Sequence, residues 1–173
     1  MDFIDSVIMT RSSVRNFSGG PIPRDTLTRI VKAGLAAPSA VNVQPREAVV
    51  VTDRARLDEL CAGLPYAKML DKAAAAIVVC GVPRKDREFA PMFWTSDCAA
   101  MTENILLAAH SLGLGAVWTA VHPDKARIAV ARRILGIPKD IEPFCVVPIG
   151  VIAGTAPAPK DKYRPEAVHF DTW

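Results

Sequence analysis

The run Ala74-Ala75-Ala76-Ile77-Val78-Val79-Cys80 is apolar at every position and has the length of a single β-strand. A continuous apolar run of this length is typical of a strand that is buried in a sheet. Outward from this run, segments with strand and helix patterns alternate along the chain, and this alternation favours a sheet with helices on both faces. The sequence therefore predicts an α/β/α sandwich in which this run is one of the buried strands.

The flanking segments carry local signals for where helices begin and end. Asp2 can cap a first helix, and Pro38 ends a second helix because the residue before a proline avoids the helical conformation. The predicted helices are a short one after Asp2, Arg24 to Ala36, Asp53 to about Leu64, Ser96 to about Leu112, and one with Pro123 in its first turn that reaches Leu135. The other predicted strands are Glu47 to Thr52, Ala116 to Thr119, and Cys145 to Ile152, which Pro148 is expected to break.

The helix predicted from Ser96 is apolar on most of its sides. A helix of this kind lies in the centre of a core or in a subunit interface. The chain of 173 residues predicts one domain, 1–173. Its last segment, 153–173, holds three prolines and little apolar periodicity, so we expect an extended C-terminal tail over a surface.

Composition excludes several classes of function. The net charge is +3 and there is no Lys/Arg run, so neither a nucleic-acid partner nor a membrane-surface role is predicted. The longest apolar run, Ala73 to Val82, is too short to span a bilayer. The four cysteines and three histidines show no metal-binding spacing, so no metal site is predicted. The acidic start, Met1 to Asp5, is unlike a signal peptide, and we expect a soluble cytoplasmic protein.

A first polar cluster follows the N-terminal helix: Arg11-Ser12-Ser13-Val14-Arg15-Asn16-Phe17. Guanidinium groups match phosphate oxygens with a planar set of donors, and serine hydroxyls add neutral donors. The alternative is a solvated helix end, since cations at a helix C-terminus complement its dipole. The second arginine and the two serines favour a site for an anion.

A second polar cluster follows the second helix: Ala37-Pro38-Ser39-Ala40-Val41-Asn42-Val43-Gln44-Pro45. Asn42 and Gln44 each offer both a donor and an acceptor, which matches the alternating edge of a flavin pyrimidine ring. Their alternate spacing would let both point the same way from an extended backbone. The alternative is an ordinary loop, because Pro, Ser and Asn are turn formers. Together the two clusters indicate a site for flavin mononucleotide (FMN).

Further segments complete a pattern that covers almost the whole chain: Asn104-Ile105-Leu106-Leu107-Ala108-Ala109-His110-Ser111-Leu112-Gly113-Leu114-Gly115-Ala116-Val117-Trp118, Pro148-Ile149-Gly150 and Lys162-Tyr163-Arg164. In this order and spacing, with the two polar clusters, the chain resembles a short member of the nitroreductase family of FMN-dependent oxidoreductases. The resemblance implies an α+β fold of the α/β/α sandwich type, with a mixed central sheet flanked by helices and a domain-swapped type of homodimer.

The resemblance also implies roles for individual residues. Arg11 and Ser13, assisted by Ser12, are expected to hold the FMN phosphate or ribityl chain. Arg15 is expected near the N1/O2 edge of the flavin, where a cation stabilises the anionic reduced form. The remaining implied contacts are Pro38, Ser39, Asn42 and Gln44 at the ring, from the same subunit or its partner; the backbone of Pro148, Ile149 and Gly150 along the ring; and Lys162 or Arg164 at the phosphate.

Two departures from the family pattern concern the surroundings of this site. Relatives often carry an aromatic residue where this chain has Arg46, which we expect to begin a strand and face solvent; the alternative is that it adds charge near the pocket mouth. The segment between Val82 and Ser96, which in the family covers the flavin and shapes the substrate pocket, is brief. Its candidate pocket residues are Phe89, Phe93 and Trp94, with Met92 beside them; core filling is the alternative for each.

The implied activity is reduction of nitroaromatics, quinones or similar electron-poor acceptors by ping-pong hydride transfer from NADH or NADPH. The cofactor carries this chemistry, so no side chain is assigned as catalytic. One alternative is a flavin-binding protein of other chemistry on the same scaffold: a flavin carrier, a flavin-fragmenting enzyme or a reductive dehalogenase. A second alternative is an interaction module without a cofactor.

Overall fold

A single sheet of five strands lies between two pairs of helices in the computed structural model, which describes residues 2–173. The strands run in the order β1-β2-β5-β3, and β4 also pairs with β5. Their bounds are β1 Arg46–Val51, β2 Ala75–Gly81, β3 Leu114–Ala116, β4 Thr119–Ala120 and β5 Glu142–Val151. The helices are α1 Arg24–Leu35, α2 Arg54–Gly63, α3 Phe89–Ser111 and α4 Lys125–Leu135, with shorter turns at Ile4–Ile8, Ala40–Asn42, Lys68–Asp71 and Pro165–Ala167.

Strand β2 is buried along its whole length, as its apolar run predicts. Successive side chains of a strand point to opposite faces. Val78 and Cys80 accordingly pack into the core cluster that includes residues of α2 and α4, whereas Ile77 and Val79 pack into the cluster that includes residues of α1 and α3. The predicted layers on both faces of the sheet are therefore confirmed.

The connection between β1 and β2 makes these strands antiparallel. The family resemblance predicts a mixed sheet, but every strand pair within the described chain is antiparallel. After α2 the chain runs back along that helix: Nη1 of Arg54 donates to the Ala73 carbonyl at 3.0 Å, and Sγ of Cys61 donates to the Lys68 carbonyl at 3.5 Å. Because the stretch 64–74 reverses direction once more, β2 enters the sheet antiparallel to β1.

Helix α3 begins at Phe89, so the predicted start at Ser96 is wrong. The carboxylate of Asp86 accepts the backbone N–H groups of Glu88, Phe89 and Ala90 at 2.8, 2.8 and 3.0 Å, and these hydrogen bonds, that of Ala90 foremost, lower its pKa. Pro91 lies in the first turn, where the missing N–H costs no helical hydrogen bond. The aromatic stretch before Ser96 is therefore helical.

Strand β5 continues through Pro148, contrary to the predicted break. The register pairs Ala116 with Ile149 and Thr119 with Val146, so Pro148 lies opposite the gap between β3 and β4. A proline that faces such a gap removes no hydrogen bond from the ladder. The same gap divides the strand predicted from Ala116 to Thr119 into two short strands.

Helix α4 begins after Asp124, whose carboxylate accepts the N–H groups of Ala126 and Arg127 at 2.9 and 3.1 Å. Pro123 thus precedes the helix, and the prediction that it lies in the first turn is wrong. Gly136 ends the helix with φ +65°, a left-handed conformation that favours glycine. Beyond β5, the backbone N–H of Ala153 donates to the Asn16 carbonyl at 3.1 Å, and residues 157–173 are exposed.

Candidate functional site

The first polar cluster lines a cavity of about 390 Å³, here called the anion cavity. Four cationic side chains and no acidic side chain line it, which favours a ligand with more than one negative charge. Its walls are Arg11, Ser12, Ser13 and Arg15, together with Pro157, Ala158, Pro159, Lys160 and Lys162 from the tail. The structure therefore brings the predicted Arg11–Arg15 cluster together with Lys162 across a large separation in sequence.

Buried residues between these polar ones hold the cluster in place. Val14 and Phe17 are 4% and 3% exposed, and the N–H of Val14 donates to the Ala116 carbonyl at 3.0 Å. Val14 packs so closely on Gly115 that a Cβ there would lie 2.7 Å from its Cγ1, and Phe17 packs equally closely on Gly150. The backbone of this segment is thus anchored to β3 and β5, which leaves the polar side chains free to face the cavity.

Arg11 sits in a small polar network at the edge of the anion cavity. Its Nε lies 3.6 Å from Oε1 of Glu103 on α3. The neighbouring Thr10 hydroxyl lies 2.8 Å from Nε2 of His110. Partial burial, and secondarily the charge of Arg11, lower the pKa of His110, so this histidine is neutral beside the arginine.

A second cavity, of about 510 Å³, shares Arg15 with the first. Its inner wall is the 117–120 segment at the gap between β3 and β4, where Trp118 supplies an aromatic surface. Lys68 and Arg127 add two cations, and the guanidinium of Arg127 lies 5.0 Å from the ring centroid of Tyr66. The cavity thus combines apolar surface with cations, which suits a planar ring that gains negative charge. The remaining lining residues are Pro65 and Met69.

Sequence reasoning missed several of these residues. Lys68, Trp118 and Arg127 come from three separate segments, and no local pattern joins them. Lys160 stands two residues before the predicted Lys162 and was missed with them. By contrast Arg164, the alternative to Lys162, does not line the anion cavity.

The second polar cluster lies away from both cavities within one chain. Val41, Asn42 and Gln44 have φ of 41°, 58° and 56°, so the prediction that Asn42 and Gln44 project from an extended backbone is wrong. Local hydrogen bonds replace that geometry: Nε2 of Gln44 donates to Oδ1 of Asn42, and the N–H of Gln44 donates to Oγ of Ser39, both at 2.9 Å. The structure therefore does not bring Pro38, Ser39, Asn42 and Gln44 together with the arginines of the same chain.

Arg46 begins β1 as predicted but does not face solvent, since it is only 4% exposed. Its guanidinium donates to the carbonyl groups of Leu35, Ala37 and Pro38. These carbonyls follow the last turns of α1 and have no helical partner of their own. Burial of Arg46 is therefore explained by hydrogen bonding to the end of that helix.

The other predicted contacts lie in the core or on the surface. Pro148, Ile149 and Gly150 lie within β5, buried between β2 and β3, and line neither cavity, so their contact with the flavin ring stays a prediction. Trp94 is 8% exposed, packs edge-on against His122 and Phe144, and fills the space over Gly81. Trp94 thus fills the core, which was the alternative to its place in the substrate pocket. Phe93 is 41% exposed, and Phe89 is partly buried.

Comparison with known proteins identifies the family. Residues 8–64 and 61–151 match the model described as Nitroreductase family. A protein of Methanothermobacter thermautotrophicus, provisionally named NADH dehydrogenase/NAD(P)H nitroreductase, is 39% identical over 100% of this chain and 88% of its own length. The chain belongs to the nitroreductase family.

Solved structures of this family agree with the fold. A Parabacteroides distasonis protein with the same provisional name matches this nitroreductase-family chain with a TM-score of 0.92 and 40% identity, over 100% of both chains. The NADPH:FMN oxidoreductase of Vibrio harveyi, solved with NAD+, matches with a TM-score of 0.85 and 25% identity, over 99% of this chain and 78% of its own. The predicted fold class is thereby confirmed.

The residues of the two cavities fit FMN. A phosphate monoester needs cations and hydroxyl donors, which the anion cavity supplies, and a planar ring needs an aromatic or apolar wall, which the 117–120 segment supplies. Because Arg15 lines both cavities, one ligand could place its phosphate in the first and its ring in the second. Across residues 2–173, no group of three or more His, Cys, Asp or Glu is placed to hold a metal ion, and no helix is long and apolar enough to cross a membrane.

Proposed function

We propose that this nitroreductase-family protein is an FMN-dependent oxidoreductase that uses NADH or NADPH to reduce nitroaromatics, quinones or similar electron-poor acceptors. The observation that carries the proposal is the pair of cavities that meet at Arg15, one rich in cations and one with an aromatic wall. Arg11, Ser12, Ser13 and Lys162 hold the phosphate in this arrangement. Lys160, which also lines the anion cavity, joins them.

Bound FMN supplies hydride transfer from the nicotinamide and then to the acceptor, in two half-reactions at one site. Arg15 places a fixed positive charge where the ring gains negative charge, which lowers the energy of the reduced state. Lys68 and Arg127 extend that positive field along the same cavity. No histidine or acidic side chain lines the second cavity, so the described residues bind and orient the reactants rather than transfer protons.

The proposal includes a homodimer in which the second polar cluster reaches the flavin of the partner subunit. Large apolar side chains are exposed in the single chain, among them Phe3 at 59%, Ile4 at 58% and Val41 at 69%. Burial of such a surface in a subunit interface is favourable. The tail, whose residues 157–173 are exposed, extends over the partner in this arrangement, while its Lys162 lines the anion cavity of its own chain.

The proposal places the enzyme in the cytoplasm, where NADH and NADPH are available. The four cysteines are free thiols, which suits a reducing compartment.

The test is the visible absorption spectrum of the purified protein, with the released cofactor identified and NADH or NADPH then added without oxygen. Flavin bands from FMN that bleach on this addition support the proposal. Bound FMN that does not bleach indicates one of the other flavin chemistries on the same scaffold. A colourless protein that takes up no added FMN contradicts the proposal.

The role of Arg15 has its own test. Arg15→Gln removes the charge shared by the two cavities, and we expect weaker FMN binding and slower anaerobic bleaching, because the reduced ring loses a stabilising cation. Unchanged FMN affinity together with an unchanged bleaching rate would show that Arg15 does not contact the cofactor.

A further inference from the structure

The turn between α1 and β1, here called the 36–45 turn, has two buried charged side chains at its base. Arg46 is 4% exposed and Asp97 is 6% exposed. Charged side chains are seldom buried to this extent unless they bind other groups of the protein. Both residues contact the backbone of the 36–45 turn, so their burial indicates a structural task there.

Arg46 fixes the first half of this turn. Its Nη1 donates to the Pro38 carbonyl at 3.2 Å, its Nη2 donates to the Leu35 carbonyl at 3.1 Å, and Nη2 also donates to the Ala37 carbonyl. Hydrogen bonds from a charged donor are stronger than neutral ones, especially where water is excluded. The Arg46 side chain therefore connects three carbonyl groups at the end of α1 to the start of β1.

Asp97, on α3, fixes the middle of the turn at Ala40. Its Oδ1 accepts the backbone N–H of Ala40 at 3.2 Å, whereas its Oδ2 is buried and accepts no hydrogen bond from the described residues. The Ser39 hydroxyl then accepts the N–H of Gln44, which closes the turn on itself. The two side chains thus hold the stretch from residue 35 to residue 40, and the second half of the turn is held by the Ser39–Gln44 hydrogen bond and by the backbone N–H of Arg46, which donates to the Gln44 carbonyl at 2.8 Å.

The conformation held in this way is strained. Val41, Asn42 and Gln44 all have positive φ, and a β-branched residue such as Val41 rarely adopts it. Packing within its own chain does not impose this conformation on Val41, because that side chain is 69% exposed there. Strain of this kind persists only when the surrounding structure enforces it. The side-chain hydrogen bonds of Arg46 and Asp97 fix residues 35–40 immediately before the positive-φ residues, and the backbone N–H of Arg46 fixes the Gln44 carbonyl at the end of the turn.

We propose that Arg46 is a positioning residue for the flavin: with Asp97, it holds the 36–45 turn in the strained shape that presents Ser39 and Asn42 to the FMN of the partner subunit. This inference rests on the proposed function, since it needs FMN at the site. It assigns a task to the residue that stands where relatives often carry an aromatic. Arg46 itself touches backbone only and does not enter the chemistry.

The test compares Arg46→Met with Arg132→Met. Arg132 is a matched control because it likewise donates to carbonyls after a helix, those of Ile141 at 2.7 Å and Pro138 at 3.4 Å, but lines neither cavity. FMN is titrated into each apo-protein and its fluorescence followed, with Tm measured on the same samples. We expect FMN binding to weaken about tenfold or more in Arg46→Met, as loss of charge-assisted hydrogen bonds implies, and less than about twofold in Arg132→Met.

Equal FMN affinity in the two variants would overturn the inference. Failure of the unaltered protein to bind FMN would instead contradict the proposed function, so the two failures are distinguishable. Arg46→Lys, which keeps the charge but reaches fewer carbonyls, is measured alongside and covers the case in which Arg46→Met does not fold. It should bind FMN with intermediate affinity, and wild-type affinity in Arg46→Lys would also overturn the inference.

A rescue experiment separates positioning from general stability. Val41→Gly removes the cost of positive φ at that position, so the turn then needs less enforcement. In the Arg46→Lys background we expect this change to recover at least about threefold of the lost FMN affinity, because glycine adopts positive φ without a steric penalty. No recovery, with Tm unchanged, would show that strain in the turn is unrelated to FMN binding.

Discussion

Gly150→Ala tests how the Arg11–Phe17 segment is anchored. A Cβ at position 150 would lie 2.7 Å from both Cγ and Cδ1 of Phe17, a distance that real Cβ contacts essentially never show. Phe17 is 3% exposed, so its ring has no free space to enter. Overpacking of this kind costs about 1–3 kcal/mol, which lowers Tm by about 2 to 12 °C in a domain of this size.

The displaced ring should also disturb ligand binding. Phe17 is two residues from Arg15, and its backbone pairs with Ile152. If the segment shifts, the arginines lose their alignment with the anion cavity, and we expect weaker FMN binding in addition to the lower Tm. The assay is thermal unfolding at one fixed protein concentration, since association of subunits would make Tm depend on it, followed by FMN titration.

Two controls make this prediction refutable. Gly20→Ala places a Cβ no closer than 3.7 Å to a neighbour and should change Tm very little. Phe17→Leu in the Gly150→Ala background should relieve the clash, so the two changes should cost less together than the sum of their separate costs. A Tm of Gly150→Ala within 1 °C of wild type, about half of the smallest expected shift, would refute the packing argument. Strict additivity of the Gly150→Ala and Phe17→Leu costs would refute it as well.

Three further predictions concern other parts of the chain. Asp124→Ala removes the N-cap of α4 and should lower the free energy of unfolding by about 1 kcal/mol in denaturant titration; Asp124→Asn, which can still accept a hydrogen bond, should retain most of it. Burial raises the pKa of the three buried thiols, to about 12 for Cys80 and Cys145. Iodoacetamide at pH 8 should therefore label Cys61 alone in the folded protein. Labelling of a buried thiol before unfolding would contradict this prediction. Because the pKa of His110 is lowered in the fold, the unfolded chain binds a proton more readily, and stability should fall as pH drops below about 6.5; His110→Gln should show a smaller loss over the same range.

Local signals predicted most helix bounds well. The helix predicted from Arg24 to Ala36 forms as Arg24–Leu35, and the helix predicted from Asp53 to about Leu64 forms as Arg54–Gly63, with the two end residues as caps. Caps and helical periodicity act within a few residues, so the sequence displays them directly. The start of helix α3 was predicted wrongly. Asp86, whose carboxylate accepts hydrogen bonds at the start of this helix, precedes an aromatic stretch, and the Pro91 in that stretch is typical of a helix break.

The residue types alone predicted the part of the candidate site whose residues are neighbours in sequence, and the family resemblance added Lys162. Arg11, Ser13 and Arg15 form one cluster, and they line one cavity. Lys68 and Arg127 join Arg15 only because folding brings three distant segments together, and no periodic pattern records that contact. The expected contact of Pro148–Gly150 with the flavin stays a prediction, and no local pattern in the sequence shows that the 117–120 segment comes to line the second cavity.

The sequence by itself determined the layers of this protein, because the apolar run of β2 and the amphipathic pattern of helices such as α1 follow from side-chain spacing alone. It also determined the cationic and hydrogen-bonding character of residues 11–15, since that depends on the residue types. The tertiary structure alone decided that the sheet is antiparallel, that Arg46 is buried, and that Lys68 and Arg127 share a cavity with Arg15. These features depend on contacts between residues far apart in the chain, and packing of the whole core selects such contacts.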